Sequence, residues 1–472
     1  MSKILGFLVL SITLLFGCSP EVKTVSLKGT IKNSSAEVVK IFNDDLDIEA
    51  EINEGIVSTT FDIQEPQYVN LRLGRESTEF YISPGQELIF SLDASEFDES
   101  ISYQGEGSEI SNYLADKFLN NEKGQLSGKE LYSKIENEFL THLEKQEQNS
   151  IQFLHDYSKE HDFPESFKTL EEQNIVFEQK NRMLSYESAH QYYMKNKSFN
   201  VSEEYQNSIR AVDLNRANLL VAPTFRGFIK GQLMNKAYAE YLANNDYQKM
   251  GMIGIVKAQL DMIPDMISDS KVAEFAANSA ILGHLSYGSA LGIDQIMNQL
   301  KSMTASPKVY EKISASLDEW GHLAKGKEAP DFEGHTLEGE KISLTDLKGK
   351  NIYIDVWATW CGPCKAEQPA LFALEEKYKD NKNIAFVGVS IDENKAAWEK
   401  MVSEKEMKGI QIYTDNAWES TICNDYLIKG IPRFILVNKE GKIINADAPR
   451  PSSEQIKDIL KELAGEPLLT AL

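Results

Sequence analysis

The stretch WATWCGPCKAEQP, residues 357–369, contains two of the four cysteines in this 472-residue chain. Cys361 and Cys364 are separated only by Gly362 and Pro363. A cysteine pair at this spacing supplies half of a zinc site, closes a short structural disulfide, or exchanges electrons with other thiols. The surrounding sequence favours electron exchange without excluding the other two roles.

The pair lies at a junction between a predicted strand and a predicted helix. NIYIDVWA, residues 351–358, is a nearly continuous apolar run, as is typical of a buried central strand. CKAEQPALFALEEKYKD, residues 364–380, is predicted to be helical, with a kink at Pro369. Cys361 then lies at a helix amino terminus, where free N–H groups and the helix dipole stabilise a thiolate. Cys364, one turn further in, is predicted to be shielded and to attack a mixed disulfide.

The two other roles find less support in the sequence. A structural zinc site needs four ligands, and the seven histidines are scattered without metal-ligand spacing. A disulfide between Cys361 and Cys364 closes a very short loop and restricts little chain entropy. We therefore expect no bound metal and no cofactor apart from a redox-active disulfide between these two cysteines.

Length and charge limit the broad class of the protein. A chain of 472 residues is long enough for about three domains of roughly 150 residues each. The formal net charge of −23 argues against nucleic acid as a partner, because a phosphate backbone must be met by Lys and Arg. The same charge argues against broad adhesion to anionic lipid.

The amino terminus, MSKILGFLVLSITLLFGCSP, has the pattern of an export signal. Lys3 precedes an apolar run at residues 4–16, which is shorter than the ~20 residues that a membrane-spanning helix needs. Residues 15–18, LFGC, resemble the bacterial lipobox, and this resemblance implies cleavage after residues 1–17 and lipidation of Cys18. The alternative is an ordinary signal peptide with an incidental cysteine.

The pattern after the signal predicts two further regions. Residues 18–105 are predicted to form a β-sandwich-like domain, because short alternating runs are separated by turn signals such as the one at Asn53-Glu54-Gly55. Their layout resembles a β domain found ahead of thioredoxin modules in bacterial lipoproteins. Residues 106–322 are predicted to form an α-helical domain with no fixed-length repeat.

Two features of the helical region lead to specific expectations. Apolar side chains recur every four residues at Leu131, Ile135, Phe139 and Leu143, which predicts one amphipathic helix. A second cluster places three tyrosines around a histidine, and we expect it to pack between helices; the alternative is the lining of a ligand pocket. This cluster consists of Tyr186, His190, Tyr192 and Tyr193.

Residues 323–472 alternate between predicted strands and helices, which fits an α/β domain of thioredoxin size. WCGPCK, residues 360–365, matches the thioredoxin active site residue for residue. The segments GKEAPDFEG, FVGVSID and KGIPRFILVNKEGKI match the frame around that site. Together they resemble TlpA/ResA-like thiol-disulfide oxidoreductases, which are exported, membrane-tethered members of the thioredoxin superfamily. The resemblance covers roughly the last third of the chain.

The resemblance implies catalytic roles for individual residues. Cys361 corresponds to the nucleophile and Cys364 to the resolving thiol. Asp355 corresponds to the buried acid that moves a proton to or from the resolving cysteine. A carboxyl group in an apolar strand is expected to have a raised pKa, which suits proton transfer; the alternative is a strand-end residue that faces water.

The resemblance also implies where a substrate protein binds. Ile431-Pro432 matches the cis-proline loop that packs against the disulfide, and the backbone of Ile431 corresponds to the group that pairs with an extended substrate segment. Trp360, Gly362 and Pro363 would surround the contact.

Two further positions bear on these roles. Gly388 occupies the position where thioredoxin itself carries a lysine near the buried acid, so the proton partner of Asp355 is open. Cys423 has no counterpart in the motif and is expected to be a small packed residue.

These observations predict a lipid-anchored oxidoreductase facing the periplasm or cell exterior, with the outer membrane as the expected anchor site. It would reduce disulfides of exported proteins and be recharged by a membrane electron donor of the reductase type. Cytochrome c maturation, general disulfide rescue and oxidative-stress defence all fit such an enzyme.

Two other functional classes remain alternatives. A peroxiredoxin-like antioxidant would need a proline seven residues before the reactive cysteine and a threonine or serine three before it, but Ile354 and Ala358 hold those positions. A partner-binding lipoprotein with an accessory redox module is the second alternative.

Overall fold

The computed structural model describes residues 23–287, 290 and 292–466. The predicted signal segment and Cys18 lie outside this range. The chain divides into two compact units, one comprising Met1–Val212 with Asn218–Phe228 and the other Asp213–Ala217 with Ile229–Leu472. Because the two units share the predicted helical region between them, the division into three domains stays a prediction. Within the described residues, no helix is both long and apolar enough to cross a membrane.

The first unit begins with a single eight-stranded sheet, in which the order is β6-β5-β2-β3-β4-β1-β7-β8. Its strands are β1 (Lys23–Lys32), β2 (Val38–Phe42), β3 (Asp47–Asn53), β4 (Ile56–Ile63), β5 (Gln67–Leu73), β6 (Glu76–Ile82), β7 (Glu87–Asp93) and β8 (Ser102–Gln104). Residues 23–104 are thus rich in strands, and the β-sandwich-like domain expected here stays a prediction. The hairpin between β3 and β4 is confirmed, and its turn residues Glu54 and Gly55 both have positive φ.

The helices of the first unit follow the sheet. They are α1 (Phe97–Ser100), α2 (Ser108–Glu122), α3 (Gly128–Tyr132), α4 (Glu136–Glu160), α5 (Glu165–Tyr193), α6 (Glu203–Arg210) and the first turns of α7 (Pro223–Ala243). The single helix expected across Leu131 and Leu143 is wrong, because the chain turns between α3 and α4. Ile135 adopts an extended backbone at the start of α4, and its side chain is 63% exposed.

Two side chains of α5 stabilise this turn. The Tyr186 hydroxyl donates a hydrogen bond to the Lys134 carbonyl at 2.8 Å, and His190 Nδ1 lies 2.8 Å from the Tyr132 carbonyl. Both side chains are buried, as predicted for packing between helices. The prediction is wrong for Tyr192 and Tyr193, which are both exposed near the end of α5.

Apart from the short segment Asp213–Ala217, the second unit starts with the remainder of α7 and continues through further helices into an α/β domain. Its other helices before that domain are α8 (Asn245–Lys249), α9 (Ile253–Met266), α10 (Ser270–Tyr287), α11 (Met297–Met303) and α12 (Pro307–Trp320). The α/β domain contains β9 (Glu333–His335), β10 (Lys341–Ser343), β11 (Asn351–Trp357), α13 (Gly362–Tyr378), β12 (Ile384–Ser390), α14 (Lys395–Glu404), β13 (Ile410–Tyr413), α15 (Thr421–Asp425), β14 (Arg433–Val437), β15 (Ile443–Asn445) and α16 (Glu454–Ala464).

The seven strands of this domain form one mixed sheet in the order β10-β9-β13-β12-β11-β14-β15. Strand β11 lies between the parallel strand β12 and the antiparallel strand β14. Its side chains alternate between two cores: Ile354 and Val356 belong to the core that contains both cysteines, whereas Tyr353 belongs to the core under α13 and α16. The buried central strand predicted from the apolar run is therefore confirmed.

Candidate active site

Cys361 and Cys364 are joined by a disulfide, with their Cα atoms 5.3 Å apart. Strand β11 ends at Trp357, and α13 begins at Gly362, so the pair lies in the first turn of the helix. Cys361 is the residue that caps the helix, and its Sγ accepts a hydrogen bond from the Cys364 N–H at 3.1 Å. Pro363 fits the first turn because an N–H at that position has no partner within the helix.

This placement has a chemical consequence for Cys361. In the reduced protein, the free N–H groups at the start of α13 point towards its sulfur and favour the thiolate over the thiol. Cys364 lies one turn further in and is 1% exposed, whereas Cys361 is 4% exposed. The shielding predicted for Cys364 is thus confirmed, and Cys361 is also buried when the disulfide is closed.

Asp392 holds the turn that precedes the disulfide. Its buried carboxylate accepts hydrogen bonds from the Thr359 N–H at 2.9 Å and from the Thr359 hydroxyl at 2.6 Å. It also accepts one from the Ser390 hydroxyl at 2.8 Å. Sequence reasoning missed this residue, although it ends the segment FVGVSID, and the end of a buried strand is a usual place for a functional carboxylate.

The exposed surface beside the disulfide is aromatic. Trp360 is 56% exposed and Gly362 and Pro363 are also exposed, as expected for residues that meet a substrate. The ring centres of Trp418 and Trp360 lie 6.2 Å apart, and Trp418 is 37% exposed. Trp418 was not predicted, because it reaches the site from a distant part of the sequence.

The peptide bond between Ile431 and Pro432 is cis, as the motif predicts. Arg433 follows directly and pairs with Val356 of β11, so the loop lies level with the end of the strand that leads to the disulfide. Ile431 is half-buried and packs against the core that contains both cysteines. Neither backbone group of Ile431 has a hydrogen-bond partner among the described residues.

Asp355 is buried in the central strand, with 5% of its surface exposed. Burial, together with the smaller effects of the negative charges of Glu375 and Glu367, raises its pKa to about 8. Within the described part of the chain, Oδ1 of this carboxyl has no hydrogen-bond partner. The alternative of a water-facing residue is therefore wrong, and the group is suited to taking and giving a proton near neutral pH.

Glu375 on α13 is a second buried carboxyl in this region and was not predicted. It is 5% exposed, and burial raises its pKa to about 7 against the opposing effect of Lys408. Its Oε2 also has no hydrogen-bond partner among the described residues. The spacing of Leu371, Leu374 and Tyr378 could have revealed it, because a residue at position 375 adjoins that apolar stripe of the helix.

The Gln411 side chain fills the space beside Gly388, the position that corresponds by resemblance to a lysine of thioredoxin. Asp355, Gly388 and Gln411 are direct neighbours across β11, β12 and β13. A Cβ atom added at Gly388 would come within 2.4 Å of the Gln411 Oε1 atom, so no larger side chain fits there without displacing this glutamine. The polar neighbours of Asp355 thus differ from the arrangement that the motif implies.

Two more residues complete the surroundings of the disulfide. Glu367, on α13, accepts a hydrogen bond from the Ser452 N–H at 3.0 Å and lies 3.7 Å from Nη1 of Arg450. Cys423 is buried in the same core as the disulfide, and burial raises the pKa of its thiol. This agrees with the expectation that Cys423 packs as a small apolar residue.

The family model described as Redoxin matches residues 324–463. The chain is 35% identical over 138 residues to the thiol-disulfide oxidoreductase ResA of Bacillus thuringiensis subsp. konkukian, covering 29% of this chain and 78% of that protein. It is 32% identical over 126 residues to the thioredoxin-like protein YneN of Bacillus subtilis, covering 26% of this chain and 69% of that protein.

Solved structures of similar proteins were also found. A thiol-disulfide oxidoreductase from Bacteroides fragilis is 31% identical, covers 29% of this chain and 99% of its own, and has a TM-score of 0.27. The redoxin match falls on the domain that contains β9 to α16, and the match to ResA has nearly the same length. That domain has a thioredoxin-like fold, and through it the chain belongs to the ResA family of thiol-disulfide oxidoreductases.

Proposed function

We propose that this chain is a lipid-anchored protein-disulfide reductase of the cell envelope that acts on other exported proteins. The observation that carries the proposal is the Cys361–Cys364 disulfide at the amino terminus of α13, preceded by a strand that carries the buried carboxyl of Asp355. A helix amino terminus favours the thiolate that begins an exchange cycle, and a buried carboxyl suits proton transfer to the second thiol.

The proposed cycle starts from the reduced dithiol. The Cys361 thiolate attacks one sulfur of a substrate disulfide, forms a mixed disulfide and releases the first substrate thiolate, which takes up a proton. Asp355 then accepts the proton of the Cys364 thiol, and the Cys364 thiolate attacks the Cys361 sulfur. The second substrate thiolate leaves and is protonated, and the internal disulfide closes. Two electrons pass from the dithiol to the substrate.

Glu375 supports the proton transfer in this proposal. Its negative charge raises the pKa of Asp355 and so keeps that carboxyl close to the pKa of a thiol. Proton transfer between groups of similar pKa has little free-energy cost, which makes Asp355 an effective base for Cys364.

Three sequence features favour reduction over oxidation as the direction. Gly362-Pro363 is the dipeptide of thioredoxin, whose pair is strongly reducing. Ile431 lacks the hydroxyl group that oxidising relatives carry before the cis proline. No histidine lies between the two cysteines. The Cys361 thiolate therefore lacks the stabilising positive charge that a histidine at that position would supply.

The remaining parts of the proposal concern the location and the electron source. The LFGC motif at residues 15–18 supports lipidation of Cys18 and attachment to a membrane, with the outer membrane as the proposed site. A membrane electron donor of the reductase type would restore the dithiol, and no cofactor other than the disulfide is proposed.

Replacing Cys18 by Ala is expected to move the protein from the membrane fraction to the soluble fraction, or to leave it unprocessed. The measurement is fractionation of cells that express the wild-type and variant chains, with the signal cleavage followed by mass. A correctly cleaved variant that stays in the membrane would argue against lipidation.

The roles within the dithiol are tested by two serine variants. Cys361→Ser is expected to abolish disulfide exchange, because it removes the nucleophile. Cys364→Ser is expected to accumulate mixed disulfides, because the first attack survives but its resolution does not. The accumulated species are counted on non-reducing gels, with Cys423→Ser as the matched control that leaves both outcomes unchanged. Equal accumulation of mixed disulfides by Cys361→Ser and Cys364→Ser would contradict the assignment of Cys361 as the nucleophile and Cys364 as the resolving thiol.

Replacing Asp355 by Asn tests the buried acid through stability. The unfolded chain releases this proton above about pH 4, whereas the folded protein keeps it up to about pH 8. Folding therefore binds a proton between these values, and the stability of the wild-type protein falls as pH rises through that window. We expect the melting temperature of Asp355→Asn to exceed that of the wild type at pH 8.5, and the difference to shrink towards pH 4.

The same variant tests the catalytic role. In the wild type, resolution of the mixed disulfide should accelerate as pH rises through about 8, where Asp355 loses its proton. Asp355→Asn should slow this step at pH 7 by at least about 10-fold. Glu375→Gln should move the rise to lower pH, whereas Glu376→Gln, at the exposed neighbouring position, should not. Wild-type rates in Asp355→Asn across this range would exclude the carboxyl from the step.

The direction is tested by the reduction potential of the pair. A soluble form beginning at Ser19 and carrying Cys423→Ser is equilibrated with dithiothreitol or glutathione buffers of known potential. We expect a value below roughly −200 mV, closer to thioredoxin at about −270 mV than to the periplasmic oxidant at about −120 mV. A value near that of the oxidant would assign the protein as a disulfide donor.

A further inference from the structure

A cavity of about 810 Å³ lies in the second unit beside the loop that precedes β14. Helices α7, α9 and α10 form one wall, and residues 430–434 and 447–450 form the other. We call this cavity the helical groove. It does not include the two cysteines, and the exchange cycle described above gives it no role.

The helical wall of the groove is apolar and exposed. Met234, Tyr238 and Leu242 are spaced four residues apart on α7, so they lie along one face of that helix. They are 46%, 48% and 57% exposed, and Met252 on the same wall is 40% exposed. An exposed apolar stripe of this kind marks a surface that another molecule covers.

The distribution of exposed apolar side chains over the second unit supports this reading. Eight large apolar residues of its described part are exposed: Met234, Tyr238, Leu242, Met252, Leu317, Leu337, Trp360 and Trp418. The first four line the helical groove. The last two adjoin the disulfide. Exposed apolar surface is therefore concentrated at the redox site and in the groove.

The other wall of the groove carries backbone groups that are free to bind. Gly430, Ile431 and Pro432 line the groove and are also the loop that lies level with the end of β11. The N–H and carbonyl of Ile431 have no partner within the described residues. An extended peptide that pairs with these groups would direct alternate side chains to either side of its backbone. The groove thus combines a backbone-pairing edge with an apolar wall.

Four of the charged side chains that line the groove form two ion pairs. Arg433 lies 3.5 Å from Asp447, and Arg450 lies 3.7 Å from Glu367. Each pair contributes no net charge, and the Nζ atom of Lys230, which also lines the groove, lies 5.5 Å from the centre of the Phe275 ring. A single excess positive charge is a weak basis for selecting an acidic or a basic ligand. The groove would therefore recognise a ligand mainly by its apolar side chains and its extended backbone.

We propose that the helical groove binds an extended, apolar segment of the substrate polypeptide next to the cysteine that forms the mixed disulfide with Cys361. This inference rests on the proposed reductase function and names its substrate class. Continuity supports it, because the loop at Ile431 belongs both to the groove and to the surroundings of the disulfide. A substrate sulfur held at Cys361 leaves the adjoining chain next to this loop.

The chemistry of the groove further restricts the substrate class. Apolar segments of folded proteins are packed in their cores and are not available in extended form. Non-native, disulfide-bonded polypeptides expose such segments, so they are the substrates that fit. The methionines at 234 and 252 suit this task, because flexible thioether side chains adapt to segments of different sequence.

The test uses the full soluble protein and the double variant Met234→Gln with Leu242→Gln. Both positions are exposed, and glutamine is compatible with a helix, so the fold is expected to persist. We expect kcat/KM for the reduction of scrambled ribonuclease A to fall about 10-fold, mainly through KM. The rate with oxidised glutathione, which is too small to fill the groove, should stay within about twofold.

The matched control is the double variant Leu317→Gln with Leu337→Gln. These leucines are 42% and 39% exposed but do not line the groove. Unchanged kinetics of this control support docking in the groove. The proposal is overturned if scrambled ribonuclease is reduced normally by the groove variant, if the control loses as much activity, or if oxidised glutathione is affected equally.

A binding measurement separates this proposal from the reductase function. Fluorescently labelled ribonuclease A that has been reduced and carboxymethylated is unfolded and cannot exchange disulfides. We expect it to bind the oxidised protein and to bind the groove variant about 10-fold more weakly, as judged by anisotropy. If the wild-type protein reduces no disulfide but still binds more tightly than the groove variant, the reductase proposal fails while the proposal of a polypeptide-binding groove is supported. Equal binding by the wild-type protein and the groove variant would overturn the proposal that the groove binds a polypeptide.

Discussion

The structure of the redox domain depends on one constraint: β11 is buried on both faces and leads within four residues into the first turn of α13. Burial of the strand fixes its register against β12 and β14, because a shift by one residue would exchange its two faces. That register decides which carboxyl lies in the core and which loop lies next to the disulfide. The disulfide, the buried acid and the cis-proline loop are therefore positioned by the same packing.

Burial of Asp355 in β11 affects both the stability of the fold and the pKa of this carboxyl. A carboxyl without a hydrogen-bond partner for one of its oxygens destabilises the fold when it is ionised. The same desolvation brings its pKa close to that of a thiol. The charged groups that shift its pKa, Glu375 and Glu367, are both negative and act in the same direction as burial. Its reactivity and its cost to stability thus have one physical origin.

Features that depend on neighbours in sequence could be predicted, and those that depend on distant contacts could not. The dithiol, Asp355 and Pro432 follow from short motifs whose local backbone is fixed by strand, turn and helix signals. Trp418 reaches the site through tertiary packing and has no distinctive pattern in the sequence. Asp392 and Glu375 have local signals, a strand end and an apolar helix stripe, but these signals do not show which distant residues the carboxyl groups meet. The break between α3 and α4 was missed because apolar spacing continues through Ile135, whereas the turn is stabilised by side chains from α5.

Selectivity and chemistry reside in different parts of the second unit. The first turn of α13 provides the reactive sulfurs, but both cysteines are almost fully buried and offer little surface for recognition. A substrate must therefore be held by what surrounds them, which is the exposed tryptophan pair on one side and the loop at Ile431 on another. That loop is shared with a wall built from α7, α9 and α10, elements that lie ahead of the redox domain in the chain. In the proposed docking, the helices that precede the redox domain have a physical reason to be joined to it, since they would extend the surface on which a polypeptide lies while its disulfide is exchanged.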